Sequence, residues 1–162
     1  MESDPPADDP GPGKTGWQLT LADMESMARE RAEQGWETLT VAAGDTAPEP
    51  PAAGERDRFG FVYVVGDDDG AAFAAWDDDG AFTEYDVYRA SAGGDVFLVT
   101  ELRDPAAERS VFIAGQYTAA DARDLLAAAR ERDAVYTHVQ TLDGTVLASF
   151  EHDEYPRFFP GG

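Results

Sequence analysis

Two segments of the chain place apolar residues at helical spacing. The first predicted helix begins after Thr20, an N-cap residue that has Asp23 three residues later, and ends at Gly35, a C-terminal stop. The apolar face between them consists of Leu21, Met24, Met27, Ala28 and Ala32. A second helix is predicted after Thr118, with a buried stripe formed by Ala122, Leu125, Leu126 and Ala129.

The middle of the chain contains apolar segments of strand length, separated by turn-forming residues. Strands are predicted at residues 36–43, 59–65, 71–76, 81–90, 96–102 and 110–117. The Pro-rich stretch 44–58 is predicted to be a loop. The connections between the strands from residue 59 to residue 117 are too short for parallel crossovers, so the pattern predicts an antiparallel meander.

A final hairpin is predicted around Asp143-Gly144, a strong turn signal. A two-residue loop would place Leu142 opposite Thr145 and His138 opposite Ser149. One face of this hairpin would be core, and it carries Val135, Val139, Val146, Ala148 and Phe150. The other face would be wet or functional, and it carries Tyr136, His138, Gln140, Ser149 and Glu151.

These patterns together predict an α+β fold. Its antiparallel sheet would have about seven to eight strands, the meander plus the C-terminal hairpin, with two helices packed on it. Residues 1–16 form an acidic, Pro/Gly-rich stretch that predicts a disordered leader, followed by a single domain at 17–155. Residues 156–162 form a C-terminal tail, and docking of the aromatic segment 155–159 is favoured over its exposure.

The charge of the chain changes this picture most. Thirty-three acidic residues face twelve basic ones, of which only Lys14 is a lysine, and the net charge is -21. Such a chain repels itself in dilute buffer, whereas molar salt screens the repulsion. Composition therefore predicts a salt-adapted protein of the cytoplasm. The same charge disfavours nucleic acid and anionic membranes as partners, and the absence of cysteine excludes thiolate chemistry.

Three segments resemble a known family. They are the acidic Pro-rich leader, the run from Gly35 to Val41 followed by Gly44-Asp45-Thr46-Ala47-Pro48, and Phe112-Ile113-Ala114-Gly115-Gln116-Tyr117 before a helix. In these the chain is similar to a family of small uncharacterised proteins from halophilic archaea. The resemblance implies a habitat and no activity or site residue.

Carboxylate clusters are the first candidates for chemistry. Asp67–Asp69 and Asp77–Asp79 are consecutive residues in predicted turns, so their side chains would point apart instead of converging on Ca²⁺ or Mg²⁺. Glu151-His152-Asp153-Glu154 contains only one histidine, in a segment predicted to be exposed. The sequence therefore predicts neither a metal site nor a cofactor.

The polar face of the last hairpin is the second candidate. His138, Ser149 and Glu151 would be neighbours there, and such a set can support nucleophilic catalysis. No nucleophile elbow or glycine-rich oxyanion loop accompanies them. The favoured prediction is a non-enzymatic domain that binds an unknown protein or small molecule, of unspecified oligomeric state. The alternative is a hydrolase-like or metal-dependent enzyme that uses this face.

Overall fold

The computed structural model describes residues 11–51, 59–79 and 82–160, without the side chains of residues 11–14 and 77–79. Three α-helices and eight strands lie in these ranges. In chain order they are α1 (Gly11–Glu33), β1 (Glu37–Ala42), β2 (Asp45–Glu49), β3 (Gly60–Val65), α2 (Asp67–Asp79), β4 (Glu84–Ala92), β5 (Asp95–Asp104), β6 (Arg109–Thr118), α3 (Arg123–Arg132), β7 (Val135–Thr141) and β8 (Val146–His152). Short 3₁₀ helices cover Ala120–Ala122 and Tyr155–Phe158.

The strands form two sheets of four instead of one antiparallel sheet. The first sheet has the order β1-β6-β5-β4 and the second has the order β2-β3-β7-β8. Each is mixed, because β1 runs parallel to β6 and β3 runs parallel to β7. The α+β class is confirmed, whereas the single meander sheet is wrong. The two strands of each parallel pair lie far apart in the sequence, so no local turn signal indicates that they pair.

The main core lies between the two sheets. The second sheet contributes Phe61, Tyr63 and Val65 from alternate positions of β3, and the first contributes Leu98 and Ile113. Leu125 and Ala129 of α3 join the same core. The predicted aromatic docking is confirmed, since Phe158 and Phe159 are buried against Phe61.

Helix α1 covers the outer face of the first sheet. Met24 and Ala28 pack against Val99, Phe112 and Ala114 there. The predicted N-cap at Thr20 is wrong, because α1 begins at Gly11 and the Thr20 hydroxyl donates to the Gly16 carbonyl inside the helix, at 2.7 Å. Residues 1–10 of the predicted leader lie outside the described residues.

A charged contact fixes α1 to the sheet. Glu101 of β5 is fully buried, and the Arg31 guanidinium donates to both of its carboxylate oxygens, at 2.9 and 3.1 Å. Arg103 and Ser110 also donate to this carboxylate. The buried charge is thus compensated by two guanidinium groups and a hydroxyl.

Two segments adopt a structure other than the predicted one. Residues 71–76, predicted to be a strand, belong to α2, which begins with Asp67–Asp69 and buries Phe73 completely. The predicted loop 44–58 contains β2, an edge strand in which Pro48 is tolerated. In the described part of the chain, no helix combines the length and apolarity needed to cross a membrane.

Candidate functional site

The chain passes from the first sheet to the second between β1 and β2. The Ala43 amide donates to the Ala114 carbonyl of the first sheet, and the next amide, Gly44, donates to the Val64 carbonyl of the second, both at 2.9 Å. The two sheets separate at this point, because Ala43 is hydrogen-bonded to the first sheet and the next residue, Gly44, to the second. The separation leaves a space between the ends of the sheets.

A cleft of about 490 Å³ lies at this crossing. Its walls come from residues 42–46, from Gln116, Tyr117 and Thr118 at the end of β6, and from Trp17 of α1. Asp121 in the 3₁₀ turn after β6 completes the rim. The volume falls within the range of about 300–1,000 Å³ that is typical of small-molecule sites.

Thr46 supplies a buried polar atom to the cleft wall. Only 7% of Thr46 is exposed, and its Oγ1 has no hydrogen-bond partner among the described residues. Gly115 makes room for this hydroxyl. A Cβ at Gly115 would lie 2.7 Å from Thr46 Oγ1 and 2.5 Å from Tyr63 Cε1, so the packing requires glycine. Buried hydroxyls normally have a hydrogen-bond partner, so this unpaired Oγ1, which is closed to solvent, is an exception in the wall of the cleft.

Tyr117 forms the inner wall and is held in the protonated state. Its hydroxyl donates to the Phe158 carbonyl at 2.5 Å, and burial raises the pKa of its phenol above the ordinary value. This side chain therefore ties the C-terminal 3₁₀ helix to the wall of the cleft and does not act as a base.

The rim carries charge and an aromatic surface. Asp45 and Asp121 are exposed, and neither makes an ion pair or a side-chain hydrogen bond with another described residue. Trp17 is half-buried and packs partly against the cluster under α1. The described walls of the cleft contain no arginine or lysine. The opening is thus acidic on the rim and aromatic on one side.

The structure brings two of the three hairpin residues together. His138 pairs with Ser149 across β7 and β8, and His138 Nδ1 lies 2.7 Å from Ser149 Oγ. The Tyr136 ring stacks on the His138 ring with their planes 6° apart. Glu151 is exposed, and it is not among the described contacts of His138 or Ser149. The His–Ser contact fits a nucleophile and base, but the predicted carboxylate does not join it.

The predicted division of this hairpin into a core face and a wet face is partly wrong. His138 is only 2% exposed, although its face was predicted to be wet or functional. Val146 was assigned to the core but is 43% exposed. A bulge pairs Gln140 with Val146, so Leu142 does not pair with Thr145 and the alternation fails near the turn.

His152 also differs from expectation. It is 1% exposed instead of lying in an exposed acidic segment, and its Nε2 lies 2.7 Å from Thr137 Oγ1. Its ring contacts Tyr85 and Phe158, and burial lowers its pKa to about 4. The described residues contain no group of three or more histidine, aspartate or glutamate side chains arranged to hold a metal. Asp67–Asp69 instead occupy the first turn of α2.

The residues of the cleft were not predicted as a site. Residue 17 was only the start of the predicted domain, a helix was predicted after Thr118, and Thr46 was placed in a predicted loop. The available signal was the Gly44-Asp45-Thr46 step between two strand-like segments, because connections at sheet ends carry many binding residues. The sequence offered no sign that the end of β6 returns to the same point.

Comparison with known proteins gives a family and no relative of known activity. No curated protein and no solved structure matches the chain significantly. A family model described as a family of unknown function, DUF7529, matches residues 5–160. The match covers the cleft, both sheets and all three described helices, and the chain therefore belongs to the family of unknown function DUF7529.

Proposed function

We propose that this protein is a small-molecule-binding domain without catalytic activity, and that the cleft at the sheet crossing is its site. The observation that carries the proposal is the 490 Å³ cleft, whose lining includes the polar side chains of Gln116, Thr118 and Asp121. Sites of this kind combine a preformed concave surface with a small number of polar groups. Rigid strands hold the polar groups on both sides, which reduces the entropy lost on binding.

A fragment screen by ¹H–¹⁵N NMR tests this proposal. Fragments should shift the amides of Gly44, Asp45 and Thr118 together, while amides of the distant β7–β8 turn remain in place. Gly115→Ala provides a matched perturbation, since its Cβ would push on Thr46 and Tyr63 and should weaken fragment binding. A screen in which no fragment shifts the cleft amides contradicts the proposal.

A second candidate function is hydrolysis by a serine nucleophile. It is favoured by one observation, the 2.7 Å contact between His138 Nδ1 and Ser149 Oγ. Ser149 is also among the residues lining a smaller cleft of about 230 Å³ between β4 and β8. A fluorophosphonate probe should then label Ser149, lose that labelling in His138→Gln, and label Ser91→Ala as it labels the parent protein. Absence of labelling at Ser149 removes this candidate.

We further propose that the protein is adapted to a cytoplasm of high salt concentration. The support is the net charge of -21 together with the near-absence of lysine. Charge repulsion of this size is tolerated where the Debye length is about 3 Å, as in molar salt.

A further inference from the structure

We infer that the ligand of the cleft is a small organic cation, a protonated amine or a quaternary ammonium group; this inference rests on the proposed binding function. The rim provides two carboxylates, Asp45 and Asp121, that no described residue neutralises. A cation that enters the cleft would gain from both, whereas an anion would be repelled by both.

The acidity of this cleft is not a consequence of the net charge alone. Three other clefts in the described part of the chain contain an arginine: Arg31 in one, Arg89 in another, and Arg89 with Arg157 in the third. Each of those guanidinium groups would oppose a cationic ligand. The cleft at the sheet crossing has a volume of about 490 Å³ and described walls that contain no basic residue.

The remaining walls suit an organic cation better than a bare metal ion. The half-buried Trp17 supplies an aromatic ring, and indole is the side chain that binds cations most strongly through its π face. The side chains of Gln116 and Thr118 also line the cleft, and their oxygens can accept hydrogen bonds from an ammonium group. Among the described residues, no group of three or more histidine, aspartate or glutamate side chains could hold a metal ion.

A charge-matched series of ligands tests the inference on the full chain. Butylammonium, butanol and butyrate share one alkyl chain and differ in charge, and tetramethylammonium adds a cation without an N–H donor. All four are titrated by NMR at one fixed concentration of about 2 M KCl, where long-range attraction is screened. Butylammonium and tetramethylammonium should shift the amides of Gly44, Asp45 and Thr118 saturably, while butanol binds at least fivefold more weakly and butyrate does not bind.

Single-residue variants distinguish binding of the cation in the cleft from nonspecific attraction of the cation to an acidic surface. Asp45→Asn and Asp121→Asn should each raise the Kd of butylammonium about fivefold, in the range expected for one exposed charge pair. Glu131→Gln removes an exposed carboxylate on α3, away from the cleft, and should leave the Kd unchanged. Trp17→Leu should weaken tetramethylammonium more than butanol, because only the cation uses the π face.

The outcomes distinguish the inference from the proposed function. Equal affinity for butanol and butylammonium, or no effect of either aspartate variant, would overturn the cationic class while the binding cleft remains. If neither this series nor the fragment screen shifts the cleft amides, the binding function fails as well, and the inference fails with it.

Discussion

The two histidines, His138 and His152, both lie in the second sheet with their imidazole rings almost completely buried. Each ring makes a 2.7 Å contact with a hydroxyl, Ser149 for His138 and Thr137 for His152. Buried hydrogen-bonded groups of this kind stabilise the fold only while both partners are present. The two side chains are therefore expected to be sensitive to substitution and, at His152, to pH.

The first prediction concerns the contact between His138 and Ser149. His138→Ala should lower the free energy of unfolding by about 2 to 3 kcal/mol, because it leaves a cavity and a hydroxyl without its partner. A double-mutant cycle with Ser149→Ala should give a coupling of about 1 kcal/mol in urea melts at fixed salt. Glu151→Gln on the same strand is the control and should stay within about 0.5 kcal/mol. A coupling near zero would show that the contact does not form in solution.

The second prediction concerns the pH dependence of stability. Burial lowers the pKa of His152 from 6.5 in the unfolded chain to about 4 in the folded state. As pH falls from 6.5 towards 4, the unfolded chain takes up a proton that the folded chain does not, so stability falls and about 3 kcal/mol is lost. Above pH 6.5 both states are neutral, and this dependence disappears.

The measurement is a set of urea melts between about pH 7 and 4.5. His152→Gln keeps a hydrogen-bonding side chain without titrating, so the difference between parent and variant isolates this residue from the many carboxylates. Parallel curves for the two proteins over this pH range would contradict the assignment of the lowered pKa to His152.

At the scale of elements, the strands and turns that were predicted correctly are those marked by a local pattern of residues. The segments at β1, β3, β5 and β6 and the turn at Asp143-Gly144 lie where hydrophobic runs and turn residues placed them. α2 was missed because Asp67–Asp69 and Gly70 resemble a turn. The same aspartates stabilise a helix N-terminus, and the alanines that follow have the highest helix propensity.

The division into two sheets lies beyond local signals for a physical reason. Both parallel pairs, β1 with β6 and β3 with β7, join strands separated by several other elements. Alternation predicts which side chains share a face, but it does not show whether another layer covers that face. His138 was predicted to be wet for this reason, and the cleft, which needs both sheets, was not predicted.

The third prediction tests how α1 is held on the first sheet. Arg31→Ala leaves the fully buried Glu101 with Arg103 and Ser110 as its remaining described donors. Losing one partner of a buried charge pair is strongly destabilising, so we expect a loss of about 3 kcal/mol in urea melts. Arg109→Ala, which breaks the exposed pair with Glu37, is the matched control and should cost about 1 kcal/mol or less. Equal effects of the two variants would show that burial of Glu101 is not what makes its partner important.

At the scale of the whole molecule, basic side chains are scarce, and four of the described arginines form ion pairs. Arg31, Arg103, Arg109 and Arg157 each pair with one or more carboxylates. The two guanidinium groups beside Asp86 outweigh its partial burial and lower the pKa of this carboxyl. The thirty-three acidic residues outnumber the twelve basic ones, so most of them have no positive partner available. Their mutual repulsion opposes the compact state unless ions screen it.

The last prediction follows from this imbalance. The midpoint of thermal unfolding, measured by far-UV circular dichroism, should rise as KCl increases from about 0.05 M to 3 M, since screening removes repulsion that is larger in the folded state. Sucrose, which favours burial without screening charge, serves as the control for effects that are not electrostatic. A triple variant at exposed positions, Glu33→Gln with Glu108→Gln and Glu131→Gln, removes three negative charges and should gain stability mainly at low salt. A midpoint that does not change with KCl, or a triple variant whose gain is the same at every salt concentration, would show that repulsion does not limit the stability of this fold.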